Sequence, residues 1–351
     1  MSQDIKVSHS TLRQFCSQVL TGIGVPEVDA EIVADTMVKA DLRGVNSHGV
    51  ARLPSYVRRV RAGLMSPNTQ VTVVRETQST LLIDGGNGFG QVAAYWTVRK
   101  LIQKARSSGV AAGGIRNTNH YGMGAYYAVM PTEHDMIGLA VSNAPPAMAP
   151  IGGSKAMLGT NPLSVAAPCG KWPAVVLDMA TSLVSRGKIR LAAIEGKKIP
   201  PGWGLDSRGV PTDDPHAVLR GGTLTPIAGP KGYGLAFMID VLAGVLTGAG
   251  FGEKLKAIDD LSGEAGTGNF FMVIDIGSFM PVDEFKDRID ALVEQIKNSP
   301  RVPGVEKIYL PGEIEWENEQ LRLKEGISLP EEVVRELMLV GQEVGCRLEV
   351  A

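Results

Sequence analysis

The chain of 351 residues is long enough for two subdomains or one large α/β unit, and its 35 basic and 37 acidic side chains leave a formal charge of −2 without any Lys/Arg-rich run. That balance excludes a nucleic-acid-binding face. Three cysteines, Cys16, Cys169 and Cys346, lie far apart without CxxC spacing, which excludes a disulfide framework and a zinc ribbon. The N-terminus MSQDIKVSHS has no charged region followed by an apolar one, so a cytoplasmic chain is expected. No membrane span is expected either: the most apolar segment, 233–246, is short and carries Asp240, which fits a buried helix.

Ser10 is placed to cap a first helix whose apolar positions Leu12, Phe15, Cys16, Val19 and Leu20 follow helical spacing up to Gly22 and Gly24. Pro26 suits the first turn of a second helix, with Ala30, Val33, Met37 and Ala40 on one face and Gly44 as its stop. After Asn46-Ser47-His48-Gly49, the spacing of Leu53, Tyr56, Val57 and Val60 predicts a third short helix up to Gly63, with His48 at its entrance. From 71 the period changes: 71–75 and 80–84 read as a hairpin at a sheet edge, with the glycine-rich turn GGNGFG closing the pair. A helix over 91–107 leads into a run of small residues before His120, and strands are expected at 136–142, 174–178 and 271–276 between loops dense in Pro and Gly. Amphipathic helices are expected at 283–297 and 330–344, with Phe285, Ile289, Leu292 and Ile296 marking the buried face of the first. The expected fold is α/β, a mixed β-sheet with flanking helices. It divides into an N-terminal helical subdomain (1–75), a mixed-sheet core that binds cofactor and substrate (76–281), and a C-terminal helical segment (282–351) packing back on the N-terminal subdomain.

Two histidines carry candidate chemistry. His120 sits among amides, tyrosines and glycines in GVAAGGIRNTNHYGMGAYY (109–127), where the backbone allows a ligand close approach, so it is a candidate proton donor or acceptor; a hydrogen-bonded structural histidine is the plain alternative. His48 lies four residues before Arg52, and a helix beginning between them would put both on one face. A guanidinium holds a carboxylate bidentately while an imidazole protonates a carbonyl oxygen, and a 2-oxo acid presents both groups; a solvated helix start is the alternative. GxGxxG is absent, since GGNGFG, GYG, GAGFG and GMGAYYA all fail on the third glycine, so a Rossmann fingerprint is missing. GxxxxGK[ST] and HExxH are missing as well, and the five histidines have no metal-ligand spacing, so no metal is expected. GPKGYG (229–234) sets Lys231 at a helix start, which would suit a phosphate, although a helix-entry turn explains its glycines equally well.

The ordered set RGVNSHGVAR (43–52), NTNHYG (117–122), LGTNPLSVAAP (158–168), LDMATS (177–182) and AGPKGYG (228–234) resembles the type-2 malate/L-lactate dehydrogenase family, and FFMVID (270–275) and YLPGE (309–313) extend the likeness over nearly the whole chain. The resemblance implies a homodimeric NAD- or NADP-dependent enzyme with a nucleotide-binding fold unlike Rossmann's. It implies hydride transfer at C2 of a small carboxylate-bearing 2-hydroxy/2-oxo acid, malate- or L-lactate-like. Other hydroxy acids of the ureidoglycolate, sulfolactate or diketogulonate type, a cyclic ketimine, or nucleotide binding without turnover are the alternatives. By position it puts Ser47 and Arg52 on the substrate, with Asn143 and Thr160 in the pocket. It makes His120 the acid/base group, with His48 as its partner or alternative, His48 also bordering the cofactor. It gives Asp178, Met179, Ala180 and Ser182 to the cofactor site, Lys231 and Gly232 to phosphate, and Glu313 and Glu315 to the other end of the nucleotide. Where many relatives read Asn-Ser-x-Pro, this chain reads Asn143-Ala144-Pro145-Pro146 and lacks a hydroxyl near the substrate.

Overall fold

A strand of small residues, Val110–Thr118, crosses the middle of the computed structural model, which describes residues 4–350; the first three residues of the N-terminal stretch and Ala351 lie outside the described residues. Its smallness has a cause on each face. A Cβ on Gly113 would meet the Leu101 side chain at 3.2 Å, and one on Gly114 would meet Thr247 at 2.5 Å. Seven strands form one open sheet in the order Thr72–Glu76, Thr80–Asp84, Val110–Thr118, Thr267–Asp275, Met136–Ser142, Leu163–Ala167, Val175–Met179. The pair Thr80–Asp84 and Val110–Thr118 is parallel, joined by the crossover helix Gly90–Ser108, and the other ladders are antiparallel. This is the expected mixed sheet with flanking helices. GGNGFG does not close the edge hairpin, whose own turn is 77–79; it carries the chain from Asp84 into the crossover helix, with Gly86 and Asn87 at φ +58° and +52°.

The helical half is built by chain ends that return to each other. Helix His9–Gly22 buries all five predicted apolar positions, but its cap is Ser8, whose Oγ accepts from the Thr11 N–H at 3.0 Å, and Ser10 falls inside the first turn. Helix Glu27–Leu42 follows Pro26 and buries Ala30, Val33, Met37 and Ala40. Ile5–Val7 pairs antiparallel with Ile327–Leu329, and Glu331–Glu343 packs on Leu53–Arg61. The resulting cluster includes Leu12, Phe15, Met37, Tyr56, Ile327 and Leu337. Each such side chain contributes about 1.5–3 kcal/mol by leaving water. A smaller lobe gathers Met148, Leu158, Ile189, Val218 and Leu224 around the short strands Gly204–Leu205, Pro211–Thr212 and Thr223–Leu224.

Two expected apolar faces are not covered. In Val282–Lys297 the buried side chains are Asp290 and Val293, Asp290 accepting from the Gly170 and Lys171 N–H groups at 3.1 and 2.8 Å, while Leu292 and Ile296 are 54% and 41% exposed. The segment 233–246 forms helix Pro230–Asp240 and the π-turn Val241–Val245, and Phe237, Met238, Val245 and Leu246 are 50–62% exposed instead of buried. No helix among the described residues is long and apolar enough to cross a membrane.

Asp41 joins the helical half to the turns that follow it. It is 1% exposed, the Val50 N–H donates to its Oδ2 at 2.7 Å, and a Cβ on Gly49 would lie 1.9 Å from its Oδ1, so only glycine lets the turn press onto the carboxyl. Burial raises Asp41 to about 7, against the opposing Val50 amide and Arg322. A folded-state value above the unfolded one means the folded protein binds the extra proton, so this stabilisation is full below the ordinary carboxylate range and is lost as pH rises through about 7. Asp41→Asn is therefore expected to stay folded and to gain urea resistance relative to the parent as pH rises from 5 to 8 (about the span of that titration). Parallel urea midpoints across that range would show that Asp41 titrates normally.

Candidate active site

The strands end where the site begins. Val110–Thr118 runs out into Asn119 and His120, Met136–Ser142 into Asn143, and Val175–Met179 carries Asp178, while Thr267–Asp275 starts opposite Thr118. Over this edge lie two 3-10 turns, Asn46–His48 and Val50–Arg52. The α-helix begins only at Leu53, so His48 and Arg52 share no helical face; the turns bring them together instead. A cavity of about 630 Å³ lies between the two halves, within the usual size of small-molecule and cofactor sites.

Ser47, His48, Arg52, His120, Asn143, Thr160, Asp178, Met179, Ala180 and Glu315 all line this cavity. Ser182, Lys231, Gly232 and Glu313 are not on its wall. Ser182 is buried and donates to the Val184 carbonyl at 2.8 Å. Lys231 and Gly232 lie in the first turn of Pro230–Asp240, and Glu313 is held by Lys297 and Lys307 at 2.7 and 2.8 Å. Asn143 spends both side-chain N–H groups inside the wall, on Asp240 Oδ1 at 3.0 Å and the Gly250 carbonyl at 2.8 Å. Asp178 accepts from Ser164 Oγ at 2.6 Å and from the Ala125 N–H at 3.3 Å.

The two histidines are stacked, ring centroids 5.3 Å apart and planes 19° from parallel. A hydroxyl engages each Nδ1: Ser47 Oγ stands 2.9 Å from that of His48, and Tyr56 Oη 2.8 Å from that of His120. The Gly122 N–H also points at His120 Nδ1, at 3.4 Å, so this nitrogen accepts, Tyr56 donates, and the neutral ring carries its proton on Nε2. Burial raises Tyr56 far above neutrality and keeps it a phenol. Lost hydration, aided by the Arg52 charge, pushes His48 down to about 4. His120 is driven well below the ordinary histidine range by burial, then by the charges of His48 and Arg52. Rings this close do not both hold a proton. The Arg52 Nε donates to the Ser47 carbonyl at 2.7 Å, which ties the guanidinium to the turn carrying His48 and leaves its outer nitrogens to the cavity side, where Asp259 stands 3.8 Å from Nη1.

Three further wall residues carry no signal of their own in the sequence. Tyr56 occupies a core position of its helix, and periodicity does not distinguish its hydroxyl from a phenylalanine edge. Arg186 and Lys256 also line the cavity, from segments that read as loops.

The sequence family described as malate/L-lactate dehydrogenase matches residues 7–338. The chain belongs to that family. It is 42% identical to the malate dehydrogenase of Pyrococcus horikoshii, over 97% of this chain and 96% of that protein. It is 39% identical to the L-sulfolactate dehydrogenase of Methanothermobacter thermautotrophicus, over 99% of both. It is similar to the solved sulfolactate dehydrogenase of Methanocaldococcus jannaschii with a TM-score of 0.92, at 38% identity over 98% of each chain. The protein is thus an NAD(P)-dependent oxidoreductase of 2-hydroxy/2-oxo acids. In this dehydrogenase the donor set of the cavity fits such a dinucleotide beside a small acid. Asp178 and Glu315 offer the acceptors that ribose hydroxyls take, and Arg186 opens helix Arg186–Ile194, where backbone N–H groups suit phosphate.

The stacked pair makes a spectroscopic prediction. In NMR titrations of the dehydrogenase His48 is expected to stay neutral at pH 6 and to protonate near 4, well below the ordinary 6.5. A midpoint at the ordinary value would mean that water reaches the rings freely.

Proposed function

We propose that the dehydrogenase moves a hydride between NAD or NADP and C2 of a small malate- or lactate-like 2-hydroxy acid, and that it works as a cytoplasmic homodimer. The observation that carries this reading is the convergence of the Arg52 guanidinium and the stacked His48–His120 pair on one cavity wall. Arg52 grips the substrate carboxylate through two parallel N–H···O bonds, which fixes C2 and its oxygen against the rings. His120 Nε2 exchanges the proton of that oxygen, with His48 as its partner or alternate. The bound dinucleotide supplies or takes the hydride. Oxidation of a 2-hydroxy acid starts from the other neutral tautomer of His120, with Tyr56 Oη turned to accept from Nδ1–H so that Nε2 is open to take the hydroxyl proton. In the reverse direction the incoming carboxylate favours the imidazolium, so protonation of the pair follows substrate binding. Asp178, Met179, Ala180 and Glu315 hold the dinucleotide, while Ser142–Ala144 and Thr160 shape the substrate side, Ala144 offering no hydroxyl there.

The test is oxidation of NADH and NADPH over a panel of 2-oxo acids, followed by absorbance. His120→Ala is expected to lower kcat by about 10²–10⁴ with dinucleotide binding retained. Should His120→Ala keep full kcat while His48→Ala abolishes it, the two roles exchange. Arg52→Lys keeps the charge and loses the fork, so kcat/KM should fall by about one to three orders of magnitude, ~1.4 kcal/mol per tenfold. Equal kcat/KM in both proteins would put the carboxylate elsewhere.

The dimer is supported by the exposed Phe237, Met238, Val245 and Leu246, an apolar group too concentrated for a solvated surface. The free thiols of Cys16, Cys169 and Cys346 support a reducing compartment. Sedimentation of a dilute sample is expected to show twice the chain mass, and Phe237→Glu to halve it. A fully active monomer would rule the dimer out.

A further inference from the structure

Five Lys and Arg side chains line the cavity; Arg43 is paired with Glu319 at 3.2 Å, and Arg186 opens the helix described above as suited to phosphate. The acids on its wall, Asp178 and Glu315, come from strand Val175–Met179 and helix Glu313–Glu325. Arg52, Arg59 and Lys256 come from the opposite side, where helix Leu53–Arg61 faces the loop 255–265. Two of these three cations already have partners. Fully buried Arg59 spends its fork on the loop backbone, donating to the Asp260 carbonyl at 2.7 Å and the Gly263 carbonyl at 3.0 Å. Arg52 is oriented by the Ser47 carbonyl for the carboxylate assigned to it above.

Lys256 is left over. The loop that carries it is rigidly held, by Arg59 at its tip, by Ser55 Oγ donating to Asp259 at 2.7 Å, and by the Lys256 N–H donating to the Ala265 carbonyl at 3.1 Å. Its ammonium has Asp260 Oδ2 at 3.9 Å, beyond hydrogen-bond reach, and no acceptor among the described residues within that reach. Asp259, the other acid of the loop, is taken by Ser55 and faces Arg52 and Arg58 at 3.8 and 4.0 Å. A half-buried ammonium on a fixed loop at the wall of the cavity that Arg52 also lines is suited to a second negative group of the same ligand.

We propose that Lys256 seats a second acid group of the substrate, a carboxylate or a sulfonate, so that the enzyme selects dianionic 2-oxo acids over monoanionic ones. This rests on the reading that Arg52 takes the carboxylate next to C2. A monoacid fills the Arg52 site and leaves Lys256 without a partner. A dianion satisfies both, and the two cations then fix the substrate at both ends with C2 between them.

The probes are oxaloacetate and sulfopyruvate, which carry the second charge, and 2-oxosuccinamate, which matches oxaloacetate in shape with a neutral amide in its place. Measured as kcat/KM at saturating dinucleotide, the parent enzyme is expected to favour the dianions over 2-oxosuccinamate by about 10- to 100-fold, the worth of a charge-assisted hydrogen bond. Lys256→Gln should bring the oxaloacetate to 2-oxosuccinamate ratio close to one, and Lys256→Arg should keep it high. Preference for one of oxaloacetate and sulfopyruvate over the other distinguishes carboxylate from sulfonate. Equal use of oxaloacetate and 2-oxosuccinamate by the parent enzyme overturns the proposal without needing any variant, and so does an unchanged ratio in a Lys256→Gln protein that binds dinucleotide like the parent. Turnover of both compounds at equal rates leaves the Arg52 reading standing, whereas no turnover of any 2-oxo acid removes that reading and this one together.

Discussion

Two imidazoles stacked at 5.3 Å beside a guanidinium are an unfavourable arrangement unless both rings stay neutral, and the rest of the site follows from that constraint. A neutral ring needs an acceptor nitrogen and a donor nitrogen satisfied in a fixed tautomer. Ser47 serves His48 and Tyr56 serves His120, so the hydroxyl donors are as much a part of the site as the rings. Tyr56 reaches its histidine because helix Leu53–Arg61 is packed into the N-terminal core, which means that burial of an apolar helix face sets the orientation of a candidate catalytic group.

The same dependence runs through Asp41. The turns carrying His48 and Arg52 are single 3-10 turns, so only a few i→i+3 backbone hydrogen bonds hold them. They are pressed onto Asp41 by the missing side chain of Gly49 and the Val50 amide. One wall of the cavity is thereby fixed by the helical half and the other by three strand ends, and the distance between Arg52 and His120 is a property of how the two halves pack.

What could be read in the sequence follows what the chain repeats. Helices His9–Gly22 and Glu27–Leu42 stood out because their apolar residues recur at helical spacing around a dense core. Val110–Thr118 did not, because a strand gripped closely on both faces has no room for the large residues whose alternation marks a strand. Leu163–Ala167 is hidden for a similar reason, with Ser164 and Ala166 on its buried side. The faces of Val282–Lys297 and Pro230–Asp240 show the limit of periodicity from the other direction, since an apolar stripe announces that something covers it and says nothing about whether the cover belongs to the same chain. Motif order carried the site further: Ser47, His48, Arg52, His120 and Asp178 are scattered over 132 positions and line one cavity. Lys231 and Glu313 belong to the same ordered motifs and stand off its wall, because a motif fixes a residue's place in the chain and leaves its direction to the packing.

The buried titratable groups respond to pH in opposite senses, and this defines the state in which substrate meets the site. Asp41, raised to about 7 by burial, is protonated below that pH, and its contribution to stability is lost as pH climbs through it. His48, depressed to about 4, is neutral above that pH, and its contribution is lost as pH falls below the ordinary 6.5 towards that value. Between these limits the turn and the stacked rings are uncharged, and the charged group beside them is Arg52, with Asp259 3.8 Å from its Nη1. On the reading proposed above, the charge of the incoming acid favours the imidazolium that reduction needs. Charge recognition and proton supply are on that reading one event, set by the arrival of the acid.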